Sequence, residues 1–247
     1  DIDFVKSLIV EFKDEVAAVI VEPLQRIIPP RLGFLEELRR LCTAHGIILI
    51  FDEIVTGFRF SYGGAQEYYN VQPDICTLGK VIGGGFPLAA IAGSSEIMKH
   101  FDKSKAGEEG FLMQLGTLSG NPVAAVAGLK TMEVLRKEKL HSKMQLDGKR
   151  LMNIFKSKLN DIDINYQIVG HETLFDVIFI KKKIENYRDY IGANTKIYGK
   201  FNYALKLNGF FKPPGKIYVS SVLTEEDFEL AEMAVSRAVE AIQTPEN

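Results

Sequence analysis

Asp52 and Lys80 are the two side chains on which chemistry could turn. Asp52 follows an unbroken apolar run, Ile47-Ile48-Leu49-Ile50-Phe51, that begins just after Gly46. Five apolar residues ending abruptly in Asp52 and Glu53 read as a strand buried on both faces. A second short run, Ile75 to Leu78, is followed by Gly79 and Lys80. In open parallel sheets ligands sit beyond the carboxyl ends of the strands, so this acid and this amine are expected to face one crevice. A lysine there, partly desolvated, would keep enough neutral amine to act as a nucleophile. The glycines Gly83 to Gly85 that follow let the backbone come close to a ligand. Taken singly, a loop lysine and a turn aspartate at a strand end are ordinary surface residues. Their placement on two neighbouring runs is what singles them out.

The elements that would hold these residues follow from the patterning. Residues 1–14 suit an amphipathic helix with Phe4, Val5, Leu8, Ile9 and Phe12 on one side. Val16 to Val21 is a strand of small and β-branched residues, ended by Glu22-Pro23. Arg31 to His45 reads as helix, with Leu35, Leu38, Leu41 and Cys42 on one face and Gly46 stopping it. Gln66 to Asn70 forms a short helix, Leu88 to Gly93 a strand, and Lys103 to Gly110 a polar loop. Asn121 as cap and Pro122 in the first turn open a long helix that runs, with a break near Lys139, to about Leu159.

After residue 160 the texture changes. Ile162 to Ile168 and Leu174 to Ile180 read as strands, Tyr187 to Leu207 as a helix and Ile217 to Ser220 as a short strand. Thr224-Glu225-Glu226-Asp227 is a capping box opening the last helix. The expectation is an α/β portion over residues 1–160 and a small α+β domain over residues 161–247.

Composition excludes several classes. The 247 residues are 46% hydrophobic and 25% charged, with a formal net charge of −2. That balance gives no electrostatic support to a nucleic-acid or membrane-surface role, and no run approaches the roughly 20 apolar residues needed to span a bilayer. The two cysteines, Cys42 and Cys76, sit in apolar surroundings and read as reduced core residues, pointing to a cytoplasmic setting. The four histidines, His45, His100, His141 and His171, lack ligand spacing, so no metal site is expected. Gly79-Lys80 is not a phosphate-binding P-loop, because Asp74 stands where its first glycine is required.

Four blocks in order carry a resemblance: Glu22-Pro23, Phe51 to Arg59, Thr77-Leu78-Gly79-Lys80-Val81-Ile82-Gly83-Gly84-Gly85, and Gly116-Thr117-Leu118-Ser119-Gly120-Asn121-Pro122. Together they resemble the class III aminotransferases of fold type I that use pyridoxal 5'-phosphate, especially the glutamate-1-semialdehyde 2,1-aminomutase-like branch. The resemblance runs from about Val16 to Leu135, with a looser tail. It implies the fold: a mostly parallel sheet with helices on both faces, plus the small α+β domain. It also implies that the N-terminal part of that fold, with the phosphate cup and the ring-stacking aromatic, lies outside this sequence.

The resemblance assigns roles as well. Lys80 matches the lysine whose amine condenses with the cofactor aldehyde and later moves a proton at the substrate carbon. Asp52 matches the carboxylate that keeps the pyridine nitrogen protonated. Ile54 and Val55 match residues beside the ring. Gly116 and Thr117 match a pair that reaches the phosphate bound by the neighbouring subunit, and a position just before a helix start suits that task. Glu22 matches a glutamate on the substrate side, but the following Leu24-Gln25-Arg26-Ile27-Ile28 lacks the Asn-Gly pattern of aminomutases.

The resulting expectation is an aminotransferase acting through Lys80 on a small-molecule amino donor and an oxo acid or aldehyde. It would work as a homodimer with shared active sites and require an N-terminal segment or companion chain. The alternatives are the aminomutase itself and, from another class, a non-catalytic fragment or assembly subunit.

Overall fold

A computed structural model describes residues 1–137 and 140–244. The chain divides into two compact units, Asp1–Pro23 with Pro30–Glu138 and Leu24–Pro29 with Lys139–Asn247.

In the first unit, helix α1 (Ile2–Glu11) is capped by Asp1, which accepts from the backbone N–H groups of Asp3 and Phe4. Strand β1 (Ala18–Val21) leads to α2 (Phe34–His45), which ends at Gly46 in the left-handed conformation its position demanded. Next come β2 (Ile48–Glu53), α3 (Gly64–Tyr68), β3 (Ile75–Leu78), β4 (Ala90–Gly93), α4 (Ser95–Met98), α5 (Lys103–Gly110) and α6 (Pro122–Lys137). The sheet runs in the order β1-β2-β3-β4. Its first three strands are parallel and β4 is antiparallel to β3. Leu35, Leu38, Leu41 and Cys42 of α2 pack with Leu49 and Phe51 of β2, Ile9 of α1 and Cys76 of β3.

Two expectations change here. The central strand β2 is fully buried on one face only: Leu49, Phe51 and Glu53 are buried, while Ile48, Ile50 and Asp52 on the opposite face are half-exposed. The packed helix α2 covers the first set. The polar stretch 103–110 is a helix rather than a loop, kinked at Gly107 with φ 73°. The Asp102 carboxylate caps it by accepting from Ser104 N–H, and none of its residues is buried, so no apolar periodicity could announce it. The break expected near Lys139 lies outside the described residues.

The second unit holds α7 (Leu140–Leu159), β5 (Gln167–His171), β6 (Leu174–Ile178), α8 (Tyr187–Tyr190), α9 (Thr195–Leu207), β7 (Ile217–Tyr218) and α10 (Glu225–Gln243). Its sheet is antiparallel in the order β5-β6-β7. Met144, Leu151, Phe155 and Leu159 place α7 in this unit's core with Phe175, Phe201, Phe228 and Val235. Strand β5 starts only at Gln167, later than the apolar pattern suggested. The expected helix over 187–207 is two helices, because Asn186 and Asn194 each cap a new start. The capping box on α10 forms as read, with Thr224 and Asp227 exchanging bonds.

A buried polar cluster ties this unit together. Asp176 of β6 is fully buried, and its carboxylate accepts from Tyr198 Oη at 2.6 Å, Lys212 Nζ at 3.0 Å and Val177 N–H at 2.9 Å. Burial pushes the Asp176 carboxyl up and the Lys212 amine down, and their mutual attraction opposes both shifts. Removing one partner of such a pair strands the other charge. Lys212→Met alone is therefore expected to cost about 3–5 kcal/mol of unfolding free energy. Adding Asp176→Asn, which still accepts from Tyr198, should recover a large part of that loss. Denaturant titration of the single and double variants checks this, and a double variant no more stable than Lys212→Met would contradict it.

Candidate active site at the carboxyl ends of the first sheet

Strand alternation splits two consecutive acids at the end of β2. Glu53 points into the core with no exposed surface. Its Oε2 accepts from Thr56 Oγ1 at 3.0 Å and from Ala65 N–H at 2.6 Å, and its Oε1 from Gln66 N–H at 3.2 Å and Gln66 Nε2 at 3.0 Å. One carboxylate thus caps α3 and closes the turn between the strand and that helix. Gly64, at φ 75°, is required there, since a Cβ would stand 2.5 Å from Glu53 Oε2.

Asp52 points the other way. Its Oδ1 accepts from Ile54 N–H at 3.1 Å and from Thr77 Oγ1 at 3.0 Å. These bonds fix the plane of the carboxylate and leave Oδ2 without a partner among the described residues. Thr77 stands opposite because β2 and β3 pair with Asp52 in register with Thr77.

Three residues further along the neighbouring strand comes Lys80. It opens a single 3₁₀ turn, Lys80–Gly83, at φ 47°. A non-glycine residue in this left-handed region carries a strain of about 1–3 kcal/mol and persists only where its surroundings impose it. Here the surroundings do. Ile54 lies against Gly79, whose Cβ, if present, would stand 3.2 Å from Ile54 Cδ1. On the far side the turn is seated on α6: a Cβ on Gly128 would come within 2.4 Å of the Ile82 carbonyl oxygen. The Lys80 side chain is exposed and makes no hydrogen bond or ion pair among the described residues.

The start of α6 supplies the last part. Asn121 Oδ1 accepts from Val123 N–H at 2.9 Å and Ala124 N–H at 3.1 Å, and the turn 117–120 precedes it. Gly116 lines an open cavity of about 820 Å³ together with Ile54, Thr77, Leu88 and Phe101. Thr117 is exposed in the turn and is not among the lining residues, nor are Asp52, Val55 and Lys80. No cluster of metal-ligating side chains occurs among the described residues.

Sequence reasoning missed Thr77, whose hydroxyl aims the Asp52 carboxylate, and it left Glu53 outside the site. The available signals were the pairing of two strand ends and the period of two, which puts Glu53 on the same side as Leu49 and Phe51.

The family profile described as Aminotransferase class-III matches residues 2–194. The chain belongs to the class III aminotransferases. It is similar to the glutamate-1-semialdehyde 2,1-aminomutase of Chlorobium phaeobacteroides, 37% identical over 98% of this chain and 57% of that protein. A second such aminomutase, from Prosthecochloris aestuarii, is 38% identical over the same shares. Among solved structures, an omega-transaminase from Sphaerobacter thermophilus superposes with a TM-score of 0.91 at 32% identity, covering 99% of this chain and 56% of that one. The fold is therefore that of the fold type I transaminases. The chain spans a little over half the length of these class III relatives.

The Glu53 anchor generates a prediction. Glu53→Ala would leave the N–H groups of Ala65 and Gln66 without their acceptor, at about 1–3 kcal/mol each. Glu53→Gln keeps the shape and one acceptor oxygen, so it should cost clearly less. Equilibrium unfolding of the two variants checks the order, and equal losses would show that the shape and single acceptor oxygen kept by Gln contribute nothing.

Proposed function

We propose that this chain is the catalytic-lysine-bearing portion of a pyridoxal phosphate-dependent aminotransferase, with Lys80 and Asp52 in the central roles. The observation behind this reading is the pair itself. A partnerless amine, held at a strained φ of 47°, follows the strand next to a carboxylate whose one oxygen is fixed and whose other is open. The donor set fits the cofactor: an anionic acceptor for a ring nitrogen, an amine for an aldehyde, and the apolar Ile54 packed against Gly79.

When bound, the cofactor supplies an electron sink for the substrate carbon that carries the amino group. The protein's own residues do the rest. Asp52 holds a proton at the ring nitrogen by opposite charge. Thr77 and the Ile54 N–H keep that carboxylate from rotating away. Lys80 would hold the cofactor through its amine and supply the group that moves a proton at the substrate carbon. Ile54 and Val55 supply apolar surface beside the ring, and Gly116 and Thr117 offer backbone and hydroxyl donors to a phosphate. In this reading the phosphate belongs to the site of a second copy in a cytoplasmic homodimer, and the substrates are a small amino donor and an oxo acid or aldehyde. Activity requires further residues, equivalent to the part of the relatives this chain does not span. The exposed Leu112, Met113, Leu115 and Leu118 are consistent with a face those residues cover.

A second reading is the aminomutase, in which the amino group moves within one carbon skeleton. The identities to two glutamate-1-semialdehyde aminomutases favour it. The sequence Leu24 to Ile28, without an Asn-Gly pair, favours the aminotransferase.

Two variants test the central pair. Lys80→Ala should abolish turnover and the borohydride-reducible attachment of the cofactor, read by mass spectrometry of the reduced protein; cofactor mass on a different lysine would overturn the assignment. Asp52→Asn should retain the attachment but slow proton abstraction by about 100-fold or more, each ~1.4 kcal/mol being tenfold. An unchanged rate, with chemistry shown to be limiting, would remove Asp52 from that role.

A further inference from the structure

We infer that Arg26, with Tyr187 and Tyr190, forms a carboxylate-binding patch on the second unit, taking the acid group of a small organic acid. The argument starts from a backbone anomaly. Ile28 N–H donates to the Gln25 carbonyl at 2.9 Å, closing a four-residue turn whose central residues are Arg26 and Ile27. Their φ angles are 48° and 64°. Two successive left-handed residues are the mark of turns normally built from Asn-Gly, and a β-branched residue there is an outlier. Ile27 is 1% exposed, so its burial among core neighbours offsets its own strain. Arg26 has no such compensation, because its side chain is exposed.

What the strained turn achieves is the placement of a guanidinium. Arg26 Cζ stands 5.1 Å from the centroid of the Tyr187 ring. Tyr187 in turn stacks on Tyr190, with centroids 6.3 Å apart and planes inclined by 19°. Burial pushes the Tyr190 phenol up, and Asp176 adds to that while Arg26 opposes it, so Arg26 lies within electrostatic reach of Tyr190. The acids of this neighbourhood are already committed. Asp176 is held by Lys212 and Tyr198, and Asp189 by Lys182 and the Glu185 N–H. Arg26 makes no ion pair among the described residues. Its planar fork is therefore open, within cation–π distance of the Tyr187 ring, and of a shape that matches the two oxygens of a carboxylate. Binding as such does not depend on the aminotransferase reading; that the natural occupant is an amino or oxo acid rests on it.

Glutarate is a suitable probe, titrated calorimetrically into the purified protein. Emission is a second readout, since the chain has nine tyrosines and no tryptophan. Arg26→Met should weaken glutarate binding by about 10- to 100-fold, and Arg26→Lys by less. Arg26→Gly should weaken it as much as Met does while holding or raising the unfolding midpoint, because glycine relieves the strain. Lys80→Ala should bind glutarate as the parent does, which separates this site from the proposed catalytic one. Unchanged affinity in Arg26→Gly, loss of binding in Lys80→Ala, or inorganic phosphate binding as tightly as glutarate at matched ionic strength would each overturn the proposal.

Discussion

The fully buried Glu53 carboxylate is the constraint from which the first unit's site is built. A charge with no solvent contact is tolerable only when its lone pairs are all engaged, and four donors from Thr56, Ala65 and Gln66 engage them. That requirement fixes where the chain turns after β2, where α3 begins, and why Gly64 must be glycine. It also decides what Asp52 does. Because side chains alternate along a strand, an inward Glu53 forces its neighbour to the opposite, half-exposed face. A slip of β2 by one residue would exchange the two acids, burying the one that accepts two hydrogen bonds and exposing the one that accepts four.

The same logic of forced neighbours explains Lys80. Its left-handed backbone is imposed from two sides, by Ile54 against Gly79 and by α6 beneath the turn. The strain is local and its cause is packing. The amine emerges from this turn with no hydrogen bond or ion pair among the described residues, whereas the Asp52 carboxylate is held by a hydroxyl and an amide. The two side chains thus differ in constraint, and the proposed roles would use that difference: one group to hold a proton steadily and another to move it.

Much of this was legible in the sequence, and the rest was hidden for identifiable reasons. The strand ends at Asp52 and Leu78, the Gly46 stop, the Asn121 start and the Thr224 box are local signals, and local hydrogen bonding decides them. The helix over 103–110 buries nothing, so no periodicity betrays it. Half-burial of β2 depends on which face a helix covers, and that is a tertiary fact. Thr77 matters only through the register of two strands far apart in sequence. The turn at Arg26 and Ile27 carries neither glycine nor asparagine, so nothing in its composition marks it. The roles of the site residues came from motif resemblance; what the structure adds is how Asp52 and Lys80 are held, and a place for Gly116 in the cavity with Ile54 and Thr77.

Helix α6 touches both the lysine turn and the segment before it. Gly128 on α6 lets the helix backbone touch the turn that begins with Lys80, and Gly84, at φ 56°, meets Thr131 and Ala127 from the other side. The same helix, one turn from its start, is tied by Asn121 to the segment that carries Gly116 and Thr117. The Ile82 and Ala127 carbonyls make these contacts partly backbone on backbone, with the Thr131 hydroxyl and the Leu88 side chain filling the rest. The lysine turn and the Gly116–Thr117 segment are therefore both anchored to one helix, so the position of α6 sets the position of each.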